Sequence, residues 1–367
     1  MTMNSTPTNI AVLRLDNLGD HVLGAGLLTA LRAAYPAARI VQVAPTALGD
    51  LYARCPVLNH LIKVPARAQY VQDPERLAGI VRELAAGEKF DLVINPRYAE
   101  DWYFAAPMCR ALTAPGGSTV GFRQDSSPVP GYDANQFFTQ LFDAPADLHA
   151  SRYAQLMVWH LGLQQPAEPV VWFSAEDLAY VRQRYALHTE PYVVVGCGAS
   201  VPYRIPALTQ LRHLVRQLTA TWGRRVILVG GPADQALAAS IISAVAGERV
   251  TSTAGELQLY QLSALLGGAD LYVGPDSGPV HVAAATGIPV IELDSWPAGH
   301  PSTSRGAWTS GRLWSPWSAR TIIVHPDPVG FAARRQSPDY ANRPVDDIPL
   351  ADIDAALEAL LGHRLAG

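Results

Sequence analysis

The stretch Asp270-Leu-Tyr-Val-Gly-Pro-Asp-Ser-Gly-Pro-Val-His-Val-Ala-Ala-Ala-Thr-Gly-Ile-Pro-Val-Ile-Glu-Leu293 reads as one strand–helix–strand unit. An apolar strand over Asp270–Gly274 runs into a tight Ser-Gly-Pro turn. An Ala-rich helix follows over residues 278–286, and Pro289–Leu293 is the next strand. Pro279 suits the first helical turn, where its missing N–H costs nothing. The first-turn amides of such a helix are unpaired and lie at its positive dipole end, a ready site for a diphosphate. Asp276 then stands at the carboxyl end of the strand, where a carboxylate can grip a sugar hydroxyl. A blander reading also fits these residues: Asp276 or Ser277 caps the helix, and His281 is a buried core histidine.

Working outward, the same alternation fills the chain. Strands are expected at Ile10–Leu15, Arg39–Ala44, His60–Val64, Asp91–Asn95 and Thr119–Phe122. Helical patterns lie near 21–35, 74–86, 101–113 and 147–162. The polar, proline-containing segment Gly162–Pro169 is the best linker. A second alternation then places strands at Tyr192–Gly196, Arg225–Gly230 and Thr321–His325 beside the two already named, with helices near 207–222, 233–246 and 257–267. Apolar strands alternating with helices imply parallel sheets covered on both faces. The expected fold is α/β, with two Rossmann-like domains over residues 1–165 and 170–345. Their strand carboxyl ends should face a cleft. Residues 346–367 carry a last helix (350–361) expected to cross back to the first domain. Trp296–Arg320 is a long loop and therefore a candidate for function.

Composition narrows the class. The 367 residues are 49% hydrophobic and 16% charged, enough apolar content for sizeable cores. A net charge of −4 excludes nucleic acid as the main partner and allows at most peripheral membrane contact. Three scattered cysteines (Cys55, Cys109, Cys197) fit neither a disulfide framework nor a zinc site, and with a polar Met1–Asn9 leader they point to a cytoplasmic protein. Of the 28 basic residues only Lys63 and Lys89 are lysines, so arginine is expected wherever a cation is needed.

Two further segments carry candidate chemistry. In Leu15-Asp-Asn-Leu-Gly-Asp-His21, Asp20 sits at a helix start, where it can act as a general base or merely as the N-cap. A helix N-terminus should lower its pKa; His21 and Asp16 are its rivals. In Gly196-Cys-Gly-Ala-Ser-Val-Pro-Tyr-Arg-Ile-Pro206, small residues let backbone approach an anion, and Arg204 can fork onto phosphate. The third glycine of the dinucleotide fingerprint is missing, which disfavours a dehydrogenase. Ser200 lacks the spacing of a nucleophile elbow.

Together, Gly19-Asp20 with the Leu-rich helix to Tyr35-Pro36, the Gly-x-Gly-Ala-Ser loop, Val229-Gly-Gly-Pro232 and Asp276-Ser-Gly-Pro-Val-His281-Val-Ala-Ala-Ala resemble glycosyltransferase family nine, the ADP-heptose:lipopolysaccharide heptosyltransferase family. Ala254-Gly-Glu-Leu257 is a softer match. The resemblance implies a GT-B fold, an inverting mechanism and no catalytic metal or cofactor, with a nucleotide sugar, most simply ADP-heptose, as donor. It makes Asp20 the general base. Donor contacts fall on Gly198, Ser200, Arg204, Asp276, Ser277, Gly278, Pro279 and His281, with Tyr203, Gly230 and Glu256 as further candidates. One departure stands out. The family's Lys-x-Trp-Pro string is here Tyr203-Arg204-Ile205-Pro206, and either Arg204 or Tyr203 replaces the lysine. The acceptor is a saccharide, a protein or a small-molecule alcohol. The competing readings are a nucleotide-sugar epimerase or hydrolase on the same frame, and a sugar-nucleotide-binding protein without catalysis.

Overall fold

The computed structural model describes residues 6–65, 73–98, 100–127, 129–187, 190–245, 249–299, 311–334 and 344–362. The chain divides into two compact units, Met1–Trp172 and Phe173–Gly367.

In the first unit β1 (Asn9–Leu13), β2 (Arg39–Pro45), β3 (His60–Val64), β4 (Phe90–Ile94), β5 (Thr113–Phe122) and β6 (Gln140–Phe142) form one sheet in the order β3-β2-β1-β4-β5-β6. Every pairing is parallel, with Ile10 opposite Ile40 on one side and Leu92 on the other. Ile10 to Leu13 are all at most 3% exposed, as a strand covered on both faces requires.

The second unit repeats this plan. β7 (Tyr192–Gly196), β8 (Arg225–Val229), β9 (Val250–Ser252), β10 (Leu271–Pro275), β11 (Val290–Leu293) and β12 (Thr321–Val324) pair in parallel in the order β12-β11-β10-β7-β8-β9. Read from β9, this is the same sequence of strands as in the first sheet. In each unit the order reverses between the first and fourth strands, β1/β4 and β7/β10. A doubly wound sheet opens its crevice at that switch point, because the connections on either side leave toward opposite faces.

Two expectations need correction. The segment Gly162–Pro169 is not a free linker but packs on the first unit: Gln155 Oε1 accepts from Ala167 N at 2.9 Å, and Gly26 lies against the Ala167–Glu168 backbone so closely that a Cβ would collide with it. Trp172 is 6.2 Å from the Tyr52 ring, and the division falls after it. The helix Leu350–Leu361, expected to cross back to the first domain, packs on the second unit's own sheet. Ile353, Ala356, Leu357 and Leu361 form its apolar stripe and join the core of β7, β8 and β10. Its lead-in is held there by Gln210 Nε2, which donates to Val345 O at 2.9 Å and Ile348 O at 3.0 Å.

Of the expected long loop Trp296–Arg320, residues 300–310 lie outside the described residues. Among the described residues no helix is long and apolar enough to cross a membrane.

Candidate active site

Each unit presents charged side chains at its own switch point. In the first, β1 ends at Leu13 and the chain runs through Arg14-Leu-Asp-Asn17 into the helix Leu18–Gly24. Asp16, 3% exposed, receives two guanidinium groups. Arg14 Nε lies 2.8 Å from Asp16 Oδ1, and Arg97 Nη1, from the loop after β4, lies 2.9 Å from Asp16 Oδ2. Asp20 is more distant from these cations: Arg14 Nη2 is 3.7 Å from its Oδ1. Its other oxygen accepts from Asn17 N at 3.0 Å, so Asp20 reaches back over the helix start rather than capping it from outside. The Asp20 side chain is 12% exposed, enough for contact with a substrate. His21 is fully buried on the same helix, where Tyr52 OH meets its Nδ1 at 2.6 Å.

The electrostatics separate the three candidate bases. Burial opposes the charge on Asp16, but Arg14 and Arg97 outweigh it and hold that carboxyl below the usual range. Burial, and then the Asp16 charge beside it, push the Asp20 carboxyl up to about 7, against the pull of Arg14 and Arg97. The helix start was expected to lower it; desolvation and a neighbouring carboxylate win instead. Burial pushes the His21 imidazole down to about 4, so it is neutral near pH 7.

In the second unit the loop after β7 carries Arg204, on the 3₁₀ turn Pro202–Arg204, and the loop after β10 carries Asp276. They meet across the switch point, Arg204 Nη1 standing 3.1 Å from Asp276 Oδ2 and donating to Asp276 O at 3.4 Å. Neither Asp276 nor Ser277 supplies a side-chain cap to the helix Gly278–Ala285. Asp276 turns to Arg204, and the Ser277 hydroxyl donates to Pro275 O at 3.3 Å. The helix start is therefore without a side-chain cap, and an anion there would meet the positive end of its dipole; Pro279 lacks an N–H and Val280 N donates to Ser277 O at 3.1 Å. His281, one turn in, is 5% exposed.

Behind Asp276 lies an acidic group that sequence reading missed. Glu292 on β11 and Asp294 just beyond it are each 1% exposed. His325 Nδ1, after β12, is 3.2 Å from Asp294 Oδ2, and that contact foremost raises the imidazole pKa. Burial pushes Asp276 up to about 6, with Asp294 adding to it and Arg204 opposing. Burial, Asp276 and Asp294 push Glu292 well above the usual carboxylate range. An acid within a strand buried on both faces, with a second just past its end, was the available signal.

The other expected donor residues are placed as follows. Gly198 and Gly230 both close on Asp234: a Cβ at Gly198 would collide with its carboxyl group, and one at Gly230 would lie 2.7 Å from its Cβ. Asp234 in turn accepts from Gly231 N at 2.8 Å. These glycines make room for a side chain of this chain. Ser200 is exposed. Tyr203 packs edge-on to Trp296, 6.3 Å between ring centres, and of the two candidates to replace the lysine only Arg204 is paired with Asp276. Glu256 lies beside the Gly230 loop through Gly255 N, which donates to Gly230 O, and its carboxylate is bonded to Arg184 at 2.9 Å and Tyr185 OH at 3.0 Å. In the first unit the loops 97–103 and 123–132 are tied by Tyr132 OH, which donates to Asp101 at 2.5 Å. Sequence reading missed Arg14 and the structural use of Gly24, whose absent Cβ leaves the space that Arg14 Nη1 occupies.

Two doubly wound, six-stranded parallel sheets are the architecture of GT-B glycosyltransferases. The family model for glycosyltransferase family 9 (heptosyltransferase) matches residues 80–323, about two thirds of the chain, and the chain belongs to this family of glycosyltransferases. It is 24% identical over 355 residues to lipopolysaccharide heptosyltransferase 3 of Escherichia coli (strain K12), covering 94% of this chain and 95% of that protein. Among solved structures, a glycosyl transferase family 9 protein from Veillonella parvula DSM 2008 superposes with a TM-score of 0.74 at 21% identity, covering 97% of this chain and 98% of that one. The ADP-heptose lps heptosyltransferase II of E. coli gives 0.71 at 22% identity, covering 97% and 99%.

Proposed function

We propose that this chain transfers a heptose from ADP-heptose to a hydroxyl group of a saccharide acceptor, with inversion, Asp20 acting as general base and no metal taking part. The observation that carries the reading is the Asp20 carboxyl, which is partly exposed at a switch point and raised to about 7. A base is most effective when its pKa lies near working pH. Asp16 is too strongly paired to accept a proton readily, and His21 is buried. The donor assignment is supported by the family and by the relative described as an ADP-heptose enzyme. A saccharide acceptor is supported by the relatives named for lipopolysaccharide.

In the step itself, the acceptor hydroxyl gives its proton to Asp20 as its oxygen bonds to the anomeric carbon from the face opposite the nucleotide. The bond from that carbon to the diphosphate oxygen breaks, and ADP leaves with the electron pair. The open start of the helix Gly278–Ala285 stabilises the departing charge, with Arg204 adding a cation beside it. Asp276 grips a sugar hydroxyl. The enzyme works in the cytoplasm, with its donor.

The test incubates the protein with ADP-heptose, with and without lipopolysaccharide core oligosaccharide, and follows ADP release. Acceptor-dependent release is expected. Consumption without acceptor would instead favour an epimerase or hydrolase, and tight binding without turnover a binding protein. Asp20→Asn should retain ADP binding while transfer falls roughly 10²–10⁴-fold. Near-normal transfer by this variant would remove Asp20 from the mechanism.

A further inference from the structure

The first unit's switch point holds more charge than a single base requires. Two arginines, two aspartates, a histidine and a tyrosine converge there, and sequence reading treated Asp16 only as a rival base. The groups that face Asp20 come from every element around it. Arg14 and Asp16 come from the loop after β1, His21 from its own helix and Arg97 from the loop after β4. Tyr52, at the end of the 3₁₀ segment Thr46–Tyr52, is held on His21.

The distances are unequal in a consistent way. Both guanidinium groups make short contacts to Asp16, at 2.8 and 2.9 Å, and the nearest approach to Asp20 is 3.7 Å. Arg14 is locked in this pose: its side chain is 9% exposed, and its tip fills the space beside Gly24 where any Cβ would stand. Asp16 uses both carboxylate oxygens, one for each arginine. His21 Nε2 also approaches Asp16, at 3.7 Å, and its other nitrogen is engaged by Tyr52.

We propose that Asp16 is a positioning residue: by binding Arg14 and Arg97 in two short ion pairs, it keeps both cations off Asp20 and leaves that carboxylate free to accept a proton. The inference rests on Asp20 being the base. It makes Asp16 indispensable for a reason unlike that of a structural ion pair. Without the Asp16 charge, the buried Arg14 and the partly buried Arg97, which also faces Asp101, act on Asp20 with their main partner gone, and an opposite charge at about 4–6 Å lowers an aspartate pKa by about 1–3 units. Asp20 would then be ionised but too weak a base. Removing Arg97 should act in the opposite sense, since Asp16 would face Asp20 less compensated.

The experiment is a pH titration of aspartate carboxyl carbons by ¹³C NMR on the full chain, the Asp20 signal being assigned by its loss in Asp20→Asn. Asp16→Asn should move the Asp20 midpoint down by about 1–3 pH units, and Arg97→Gln should move it up. In the ADP-release assay the acid limb should follow. At pH 6, activity relative to each protein's own plateau should rise from roughly a tenth to at least roughly half in Asp16→Asn. If Asp16→Asn does not fold, Arg97→Gln alone decides. An Asp20 midpoint unmoved in whichever variant folds would overturn the proposal and leave Asp16 a structural residue. Full transfer by Asp20→Asn would instead overturn the base assignment beneath it, and the two failures are read from different proteins.

Discussion

Replacing Arg204 by methionine keeps much of the aliphatic stem and deletes the charge. The pair it breaks is largely buried, with the Arg204 side chain 20% and the Asp276 side chain 10% exposed. In the intact protein Asp276 titrates at about 6, above its usual 3.8, with Arg204 opposing the rise. A carboxyl raised on folding binds protons more tightly in the native state, so its contribution is fully present below 3.8, is lost as pH rises to 6, and is constant beyond. That loss is about 3 kcal/mol at about 1.4 kcal/mol per pH unit. In Arg204→Met the opposing charge is gone, Asp276 moves above 6, and the decline continues at higher pH. The variant's deficit should therefore be about 1–2.5 kcal/mol larger at pH 8 than at pH 5.5. Arg204 also opposes the rise at Glu292, which burial, Asp276 and Asp294 hold well above the usual carboxylate range, so its loss moves that group in the same sense. Urea unfolding of both proteins at the two pH values measures this, and the pH-independent part reports lost packing. A deficit equal at pH 5.5 and pH 8 would refute the claim that Arg204 governs the charge on Asp276.

Two other perturbations bear on the second unit. Glu292→Gln should change stability by less than about 0.5 kcal/mol at pH 7, because a neutral carboxyl and an amide are near-isosteric; a chemical-denaturation deficit above about 2 kcal/mol would mean the glutamate is ionised. EDTA should leave ADP release essentially unchanged, since the positive helix start and an arginine carry the leaving charge; strict dependence on added magnesium or manganese, seen in the same assay, would contradict the proposed donor site.

The strand positions were legible because strands covered on both faces are short apolar runs, and the ends of β3 and β7 are where the sequence suggests. The edge strands β6 and β9 were not. Each is three residues long, and Gln140, Thr251 and Ser252 dilute the apolar signal. The pattern from His21 to Tyr35 reads as one helix, yet Ala25 separates two, Leu18–Gly24 and Gly26–Ala34. The glycines either side of it serve packing, Gly24 against Arg14 and Gly26 against the 167–168 backbone, and such close approach has no local signature. The positions of Asp20, Arg204 and Asp276 followed from strand–turn–helix spacing. Their partners did not: Asp16–Arg97 spans 81 residues and Arg204–Asp276 spans 72, distances that only the switch point closes.

That closure explains why the same device arises twice. At a switch point the loops after the first and fourth strands part toward opposite faces, and the backbone between them has no neighbouring strand to pair with. A long arginine reaching a short aspartate bridges the gap. The roles are exchanged between the units. The first strand's loop brings the aspartate in one case, Asp16 to Arg97, and the arginine in the other, Arg204 to Asp276. What differs is the remaining charge. In the first unit a second arginine joins Arg14 on Asp16, which holds the two cations at 2.8 and 2.9 Å while Arg14 stands 3.7 Å from Asp20. In the second, one arginine faces Asp276 with Glu292 and Asp294 behind it; burial, Asp276 and Asp294 hold Glu292 well above the usual carboxylate range, while Asp276 titrates at about 6. Each sheet thus leaves one carboxyl titrating close to neutrality: burial and the Asp16 charge raise Asp20 in the first unit, and burial with Asp294 raises Asp276 in the second. Adding a cation should therefore lower the titration midpoint at both sites, whereas deleting the neighbouring acid should lower it at Asp20 for two reasons, lost repulsion and freed arginines, and at Asp276 for one.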